Sequence, residues 1–208
     1  MKIFMLRSKP NNTERIDVFL RDNVVTIGWQ ETGDLTNATK EDIREALKSN
    51  GYEGQSLLTN LGLVNAFVRT MQEGDLVLIR QGNIVHIGEV GPYRWAKEYE
   101  DMKMSHAHSV KRWFTPVAFN QLNASMQSLL KNIRTIAQYH GTIEEADLLK
   151  FISDNPEEKP NTHIPAKDKE NLLANTLEIL KDLANNATDE KVRLEAAREL
   201  LNHLKSTY

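Results

Sequence analysis

The stretch Asp75–Gly91, "DLVLIRQGNIVHIGEVG", decides how the rest of the chain is read. β-Branched and large apolar residues fill Leu76–Arg80 and Ile84–Val90, and Gln81-Gly82-Asn83 between them is turn chemistry, so the segment predicts a β-hairpin. Two earlier runs share that composition: "KIFMLR" (Lys2–Arg7) and "NVVTIGW" (Asn23–Trp29) read as strands, with "NNTERIDVFLRDN" between them as a short helix or turn. "NATKEDIREALKSNGY" reads as a helix. Thr39 is its N-cap, Glu41 and Asp42 favour its first turn, Ile43, Ala46 and Leu47 share a face, and Gly51 stops it. A second helix runs through "SLLTNLGLVNAFVRTMQEG", with Leu57, Leu61, Val64, Phe67, Val68 and Met71 on its apolar stripe. After the hairpin, Ser109–Phe114 reads as a strand and "SLLKNIRTIAQY" as a helix packing back on the sheet. This order predicts an α+β fold: a small, partly open β-barrel flanked by helices.

Beyond residue 152 the character changes. "SDNPEEKPNTHIPAKDKE" holds three prolines and many charges, and residues 153–167 read as a linker. Residues 168–208 read as a helical hairpin. Leu172, Leu173, Thr176, Leu177, Leu180 and Leu183 line its first helix; Thr188 caps the second, with Val192, Ala196, Leu200 and Leu204 inward. Two helices bury little core alone, so the hairpin is expected to dock on the first domain, a second copy or an effector protein.

The 208-residue chain is 40% hydrophobic and 26% charged, and no apolar run approaches the roughly 18–20 residues that span a bilayer. With too short an apolar start for a secretory signal and no cysteine, a cytoplasmic location is expected, and thiolate metal sites, disulfides and a Cys nucleophile are excluded. The net charge of -3 hides an asymmetry: up to His140 there are 17 Lys/Arg against 15 Asp/Glu, and beyond it 9 against 14. An anionic partner is less repelled by the amino-terminal part.

Catalytic signatures are missing. There is no GxxxxGK[ST] loop, GxSxG elbow or HExxH, and no strand carries the clustered carboxylates and lysine of a metal nuclease. No catalytic role, metal or cofactor is therefore expected. His106 and His108 in "SHAHS" could ligate a metal from an extended strand, but with no third ligand near in sequence they read as an exposed loop pair. The aromatics say more. Trp29, Trp95 and Trp113 each fall near a strand end, Tyr93 and Arg94 adjoin Trp95, and Lys111 and Arg112 precede Trp113. Aromatics interleaved with cations suit a pocket that stacks a base and holds its phosphate, with Asp34 available to accept a base N–H. Core packing is the competing role for each tryptophan.

"IGWQETGDLT", "DIREAL", "GLVNAFVRTMQEGDLVLIRQGNIVHIGEVGPYRW" and "HSVKRWF", in that order, resemble the amino-terminal domain of Mrr-like and other modification-dependent restriction enzymes, a PUA-like domain close to the EVE and YTH groups. The resemblance covers about Lys2 to Tyr139. It implies a partly open barrel whose mouth binds nucleic acid, DNA ahead of RNA, and a reader of modified bases in restriction or phage defence. On matching positions Trp29 would be a pocket wall, Asp34 a polar contact, and Tyr93 and Trp95 the opposite side. Trp113 is offset by an extra Arg112, which leaves its direction open. RNA binding, and a non-catalytic scaffold acting through the carboxy-terminal helices, are the alternatives.

Overall fold

In a computed structural model, the chain divides into two units, 1–158 and 159–208. The structure describes residues 1–153 and, in the second unit, 177–178, 180–187, 189–194 and 196–198. The expected linker from residue 154 onward, the Thr188 cap, and Leu172, Leu173, Thr176, Leu200 and Leu204 lie outside the described residues. In the second unit residues 177–178, 180–186, 190–194 and 196–198 are helical, a short helical pair in which Ala196 is buried and Val192 is exposed.

The first unit is built on a mixed seven-stranded sheet: β1 (Ile3–Leu6), β2 (Val24–Ile27), β3 (Leu76–Gln81), β4 (Ile84–Trp95), β5 (His106–Trp113), β6 (Val117–Ala118) and β7 (Ile136–Tyr139). The order is β2-β5-β4-β3-β1-β7, with β6 paired to β4, so the sheet does not close. β1 and β3 run parallel in register Ile3↔Leu76, while the other pairings are antiparallel. Side-chain alternation on this parallel pair divides the interior. Phe4, Leu6, Val77 and Ile79 enter one core with residues of α1 (Ile16–Asp22), α2 (Lys40–Ser49) and α3 (Gly54–Asn65). Ile3, Met5, Leu76 and Leu78 enter a second core with Met126 and Leu130 of α4 (Ala124–Leu130). A strand buried on both faces needs a continuous apolar run, which "IFML" and "LVLI" supply. A last short helix, α5, spans Leu149–Ile152. No helix among the described residues is long and apolar enough to cross a membrane.

Local chemistry sets the boundaries. Thr39 and Asp42 form a reciprocal capping box at the start of α2. Gly82 stands at φ +60 as the first central residue of the hairpin turn, the place where a type II′ turn wants glycine. Two departures from the sequence expectations have physical causes. The helix expected over "SLLKNIRTIAQY" ends at Leu130, and Ile136–Tyr139 instead becomes β7, whose hydrogen bonds complete the open side of β1. β4 runs on to Trp95 through Gly91-Pro92, because register shifts at Glu89/Val90 and Val90/Tyr93 place the proline where no ladder hydrogen bond is required.

A further irregularity follows α3. Residues Ala66–Thr70 form a π turn in which the Met71 N–H donates to Ala66 O at 2.9 Å instead of to Phe67 O. The freed Phe67 carbonyl is met at 2.8 Å by Nε2 of buried His108, whose Nδ1 lies 2.9 Å from Gly91 O in the β4 bulge. One imidazole thus lies between the two irregular backbones. Burial lowers its pKa, partly opposed by the two carbonyls, and a neutral ring carries one N–H and donates to one of them at a time.

Close packing also fixes Trp113. Its indole lies over Gly88, where an added Cβ would sit 2.8 Å from Cζ3 and 3.0 Å from Val110 Cγ1. Gly88→Ala is expected to destabilise the domain by about 1–3 kcal/mol through overpacking. Urea unfolding of the two proteins measures this.

Candidate functional site

Where β2 ends, Trp29 adopts φ 63 and ψ 34, a left-handed conformation uncommon for a bulky side chain. The surrounding bonds hold it there. Its Nε1 donates to Asn60 Oδ1 at 3.1 Å, and its carbonyl accepts from the Thr32 N–H at 3.0 Å and from Thr32 Oγ1 at 2.8 Å. Nε2 of His106 lies 3.1 Å from the same carbonyl, and its Nδ1 lies 2.8 Å from Tyr93 Oη. Both contacts are satisfied by one tautomer: Nε2–H donates to Trp29 O, and Tyr93 O–H donates to Nδ1. Burial, partly opposed by the Trp29 carbonyl, Asp34 and Glu31, pushes the His106 pKa down to about 4. Tyr93 is raised, chiefly by burial. Asp34 Oδ1 accepts from Thr36 N at 2.9 Å and Thr36 Oγ1 at 2.6 Å, and these bonds lower its pKa.

The aromatic-walled, base-reading pocket expected from the tryptophans is not formed. Fully buried His106 lies against the rings of Tyr93 and Trp95: Tyr93 stacks on it at 6.2 Å, and Trp95 meets it edge-on at 4.9 Å. Trp29 lines a cavity of about 270 Å³ with Asn11, Tyr52 and Asn60, whereas Tyr93 lines a different one of about 330 Å³ with Arg69, Met71 and His108. Trp113 packs against the core. His106 and His108 are not an exposed loop pair but buried residues of β5, and no group of three or more His, Cys, Asp or Glu side chains among the described residues is placed to hold a metal ion. The cations chosen with the aromatics are each matched by a carboxylate. Arg94 pairs with Glu98 at 2.6 Å, Lys111 with Glu73 at 2.9 Å and Glu89 at 3.6 Å, and Arg112 with Glu89 at 3.1 Å.

A different site holds three cations without such partners among the described residues. The parallel strands β1 and β3 run toward the same end of the sheet, where Arg7 follows β1 and Arg80 is the penultimate residue of β3. With Lys9, and with Lys131 after α4, they line a cleft of about 500 Å³ in which Glu14 is the one carboxylate among the described residues. Arg7 Nη1 donates to Ile133 O at 2.9 Å, and Arg80 Nε donates to Gly82 O at 2.8 Å. The Arg80 guanidinium also lies 3.8 Å from the Phe119 ring centroid, with Lys131 Nζ at 5.9 Å from it. These contacts fix both guanidinium groups while using one N–H of the five on each. Among the described residues Arg7, Arg80 and Lys131 make no ion pair. Glu14 is anchored: Oε1 accepts the Arg15 and Ile16 N–H groups at 3.1 and 3.2 Å, leaving Oε2 3.9 Å from Lys9 Nζ. Lys9 also borders the Trp29 cavity, so the two concavities adjoin.

The fold is thus an α+β domain with an unclosed mixed sheet and a cation-lined cleft at the carboxyl ends of its parallel pair. Residues 4–138 match the family described as Domain of unknown function (DUF8426), and the chain belongs to that family. Neither a curated protein nor a solved structure matches it.

Proposed function

We propose that this protein is a non-catalytic nucleic-acid-binding module, preferring DNA to RNA, that grips the phosphate backbone in the cleft between Arg7, Lys9, Arg80 and Lys131. The carrying observation is two guanidinium groups held by backbone carbonyls, with no carboxylate partner among the described residues and N–H groups to spare. Fixed planar forks of this kind suit bidentate phosphate contacts, and little side-chain entropy is lost when they bind. The resemblance of residues 2–139 to the PUA-like domains of restriction enzymes supports DNA as the ligand and a role in defence. In this reading the carboxy-terminal helices are where an effector protein or a second copy docks.

Fluorescence anisotropy with labelled DNA and RNA of matched sequence, over a salt series, tests the reading. Binding that weakens steeply with salt and favours DNA is expected, because phosphate contacts release counterions. Tighter binding of RNA would move the ligand to RNA, and no binding of either at low salt would overturn the proposal.

Glu14 has a defined place in this reading. Its carboxylate opposes a phosphate and occupies Lys9. Glu14→Gln is expected to tighten DNA binding and to steepen the salt dependence by about 0.9, one additional phosphate contact, as Lys9 becomes available. The same titrations measure both quantities, and Glu45→Gln, on the exposed surface of α2, is the control for a general change in charge.

A further inference from the structure

The rim of the cleft carries one side chain that neither folding nor phosphate binding explains. Ile133 is 85% exposed, the most exposed large hydrophobic residue described. A scattered surface isoleucine is ordinary, but this one stands on a fixed support. Its carbonyl accepts from Arg7 Nη1, a cation of the cleft, at 2.9 Å, and the next residue closes a tight turn in which Arg134 N donates to Asn132 Oδ1 at 3.0 Å. Lys131 and Arg134 flank it, so the tip reads cation, amide, isoleucine, cation. A backbone held by hydrogen bonds, a solvent-facing apolar group and adjacent positive charge are what a wedge needs to enter between base pairs while neighbouring side chains hold the phosphates.

We infer that Ile133 is an apolar wedge that inserts at a base step of duplex DNA bound along the cleft, unstacking that step; the inference rests on the nucleic-acid reading above. The wedge needs no particular base, because it meets the flat face of whichever pair it displaces. Burying its side chain against bases also repays part of the cost of exposing it in the unbound protein. Arg7 links the two actions, since one guanidinium supports the wedge through Ile133 O and faces the phosphates with its remaining N–H groups.

The full-length protein is titrated into DNA duplexes carrying 2-aminopurine at successive positions, while anisotropy reports binding. Wild type is expected to bind with a several-fold rise in 2-aminopurine emission at one or two adjacent steps. Ile133→Ser should lose that rise and bind about tenfold more weakly, keeping the wild-type salt dependence because no phosphate contact is removed. Ile133→Leu should restore the rise. Both substitutions sit at an exposed position, and an unchanged melting temperature checks that the fold is intact. Binding by wild type without any rise, or a rise that survives Ile133→Ser, would overturn the wedge and leave the nucleic-acid reading standing. Absence of binding by wild type would overturn both.

Discussion

If the cleft grips DNA as proposed, replacing Arg7 and Arg80 together with alanine is expected to remove most of the affinity while the domain remains folded. Each guanidinium is expected to make charge-assisted hydrogen bonds to phosphate worth about 1.5–3 kcal/mol. The double variant should therefore bind roughly a hundredfold or more less tightly, with the salt dependence reduced by about 1.8, or 0.9 for each lost contact. Anisotropy titrations at several salt concentrations measure both. The fold is expected to tolerate the change because neither arginine belongs to the buried cores; their side chains contribute one hydrogen bond each, to the carbonyls of Ile133 and Gly82, and Arg80 a cation–π contact with Phe119. Arg94→Ala, by contrast, removes a cation already paired with Glu98 and should change affinity little.

Acid should destabilise the domain through His106. Its pKa is about 4 in the folded protein against 6.5 for the ordinary side chain, so between these values the unfolded chain binds the proton and the folded one does not. Stability from this group is complete above pH 6.5, declines as the pH falls, and is lost at about pH 4. A shift of this size corresponds to about 3 kcal/mol. For a domain of this length that lowers the melting temperature by roughly 6–12 °C between pH 7 and pH 4. His108 and His86 are shifted in the same direction by burial and add to the trend. Thermal unfolding across this range, with NMR titration of the His106 ring, tests the assignment. A ring that titrates near 6.5 would contradict the neutral tautomer bonded to Trp29 and Tyr93.

The strands and the hairpin were legible because they are local and nearly all apolar: "IFML", "VVTI" and "LVLI" have no polar face to confuse the reading apart from buried Thr26. The α2 cap was equally legible, since Thr39 and Asp42 lie three residues apart. β7 was not, because Ile133 and Ile136 suit a helical stripe as well as a strand. Only the hydrogen bonds of β1, more than a hundred residues away, decide between them. At the site, the sequence brings Tyr93 and Trp95 into notice as aromatics but says nothing of what lies between them. That is His106, which a pattern of two spaced histidines makes look exposed. The cleft, too, has a signal in the sequence. "KIFMLR" and "DLVLIR" both end in arginine, and continuing the parallel register of those strands brings the two arginines to neighbouring positions. The pairing is a long-range fact, so the doublet means little until the topology is known.

Backbone amide NMR shifts of the protein with and without a short DNA duplex locate the ligand most directly. The account predicts that perturbations concentrate at residues 7–9, 80–82 and 130–134, around the cleft. Perturbations confined to Trp29, Asp34, Tyr93 and Trp95, with the cleft unmoved, would contradict it.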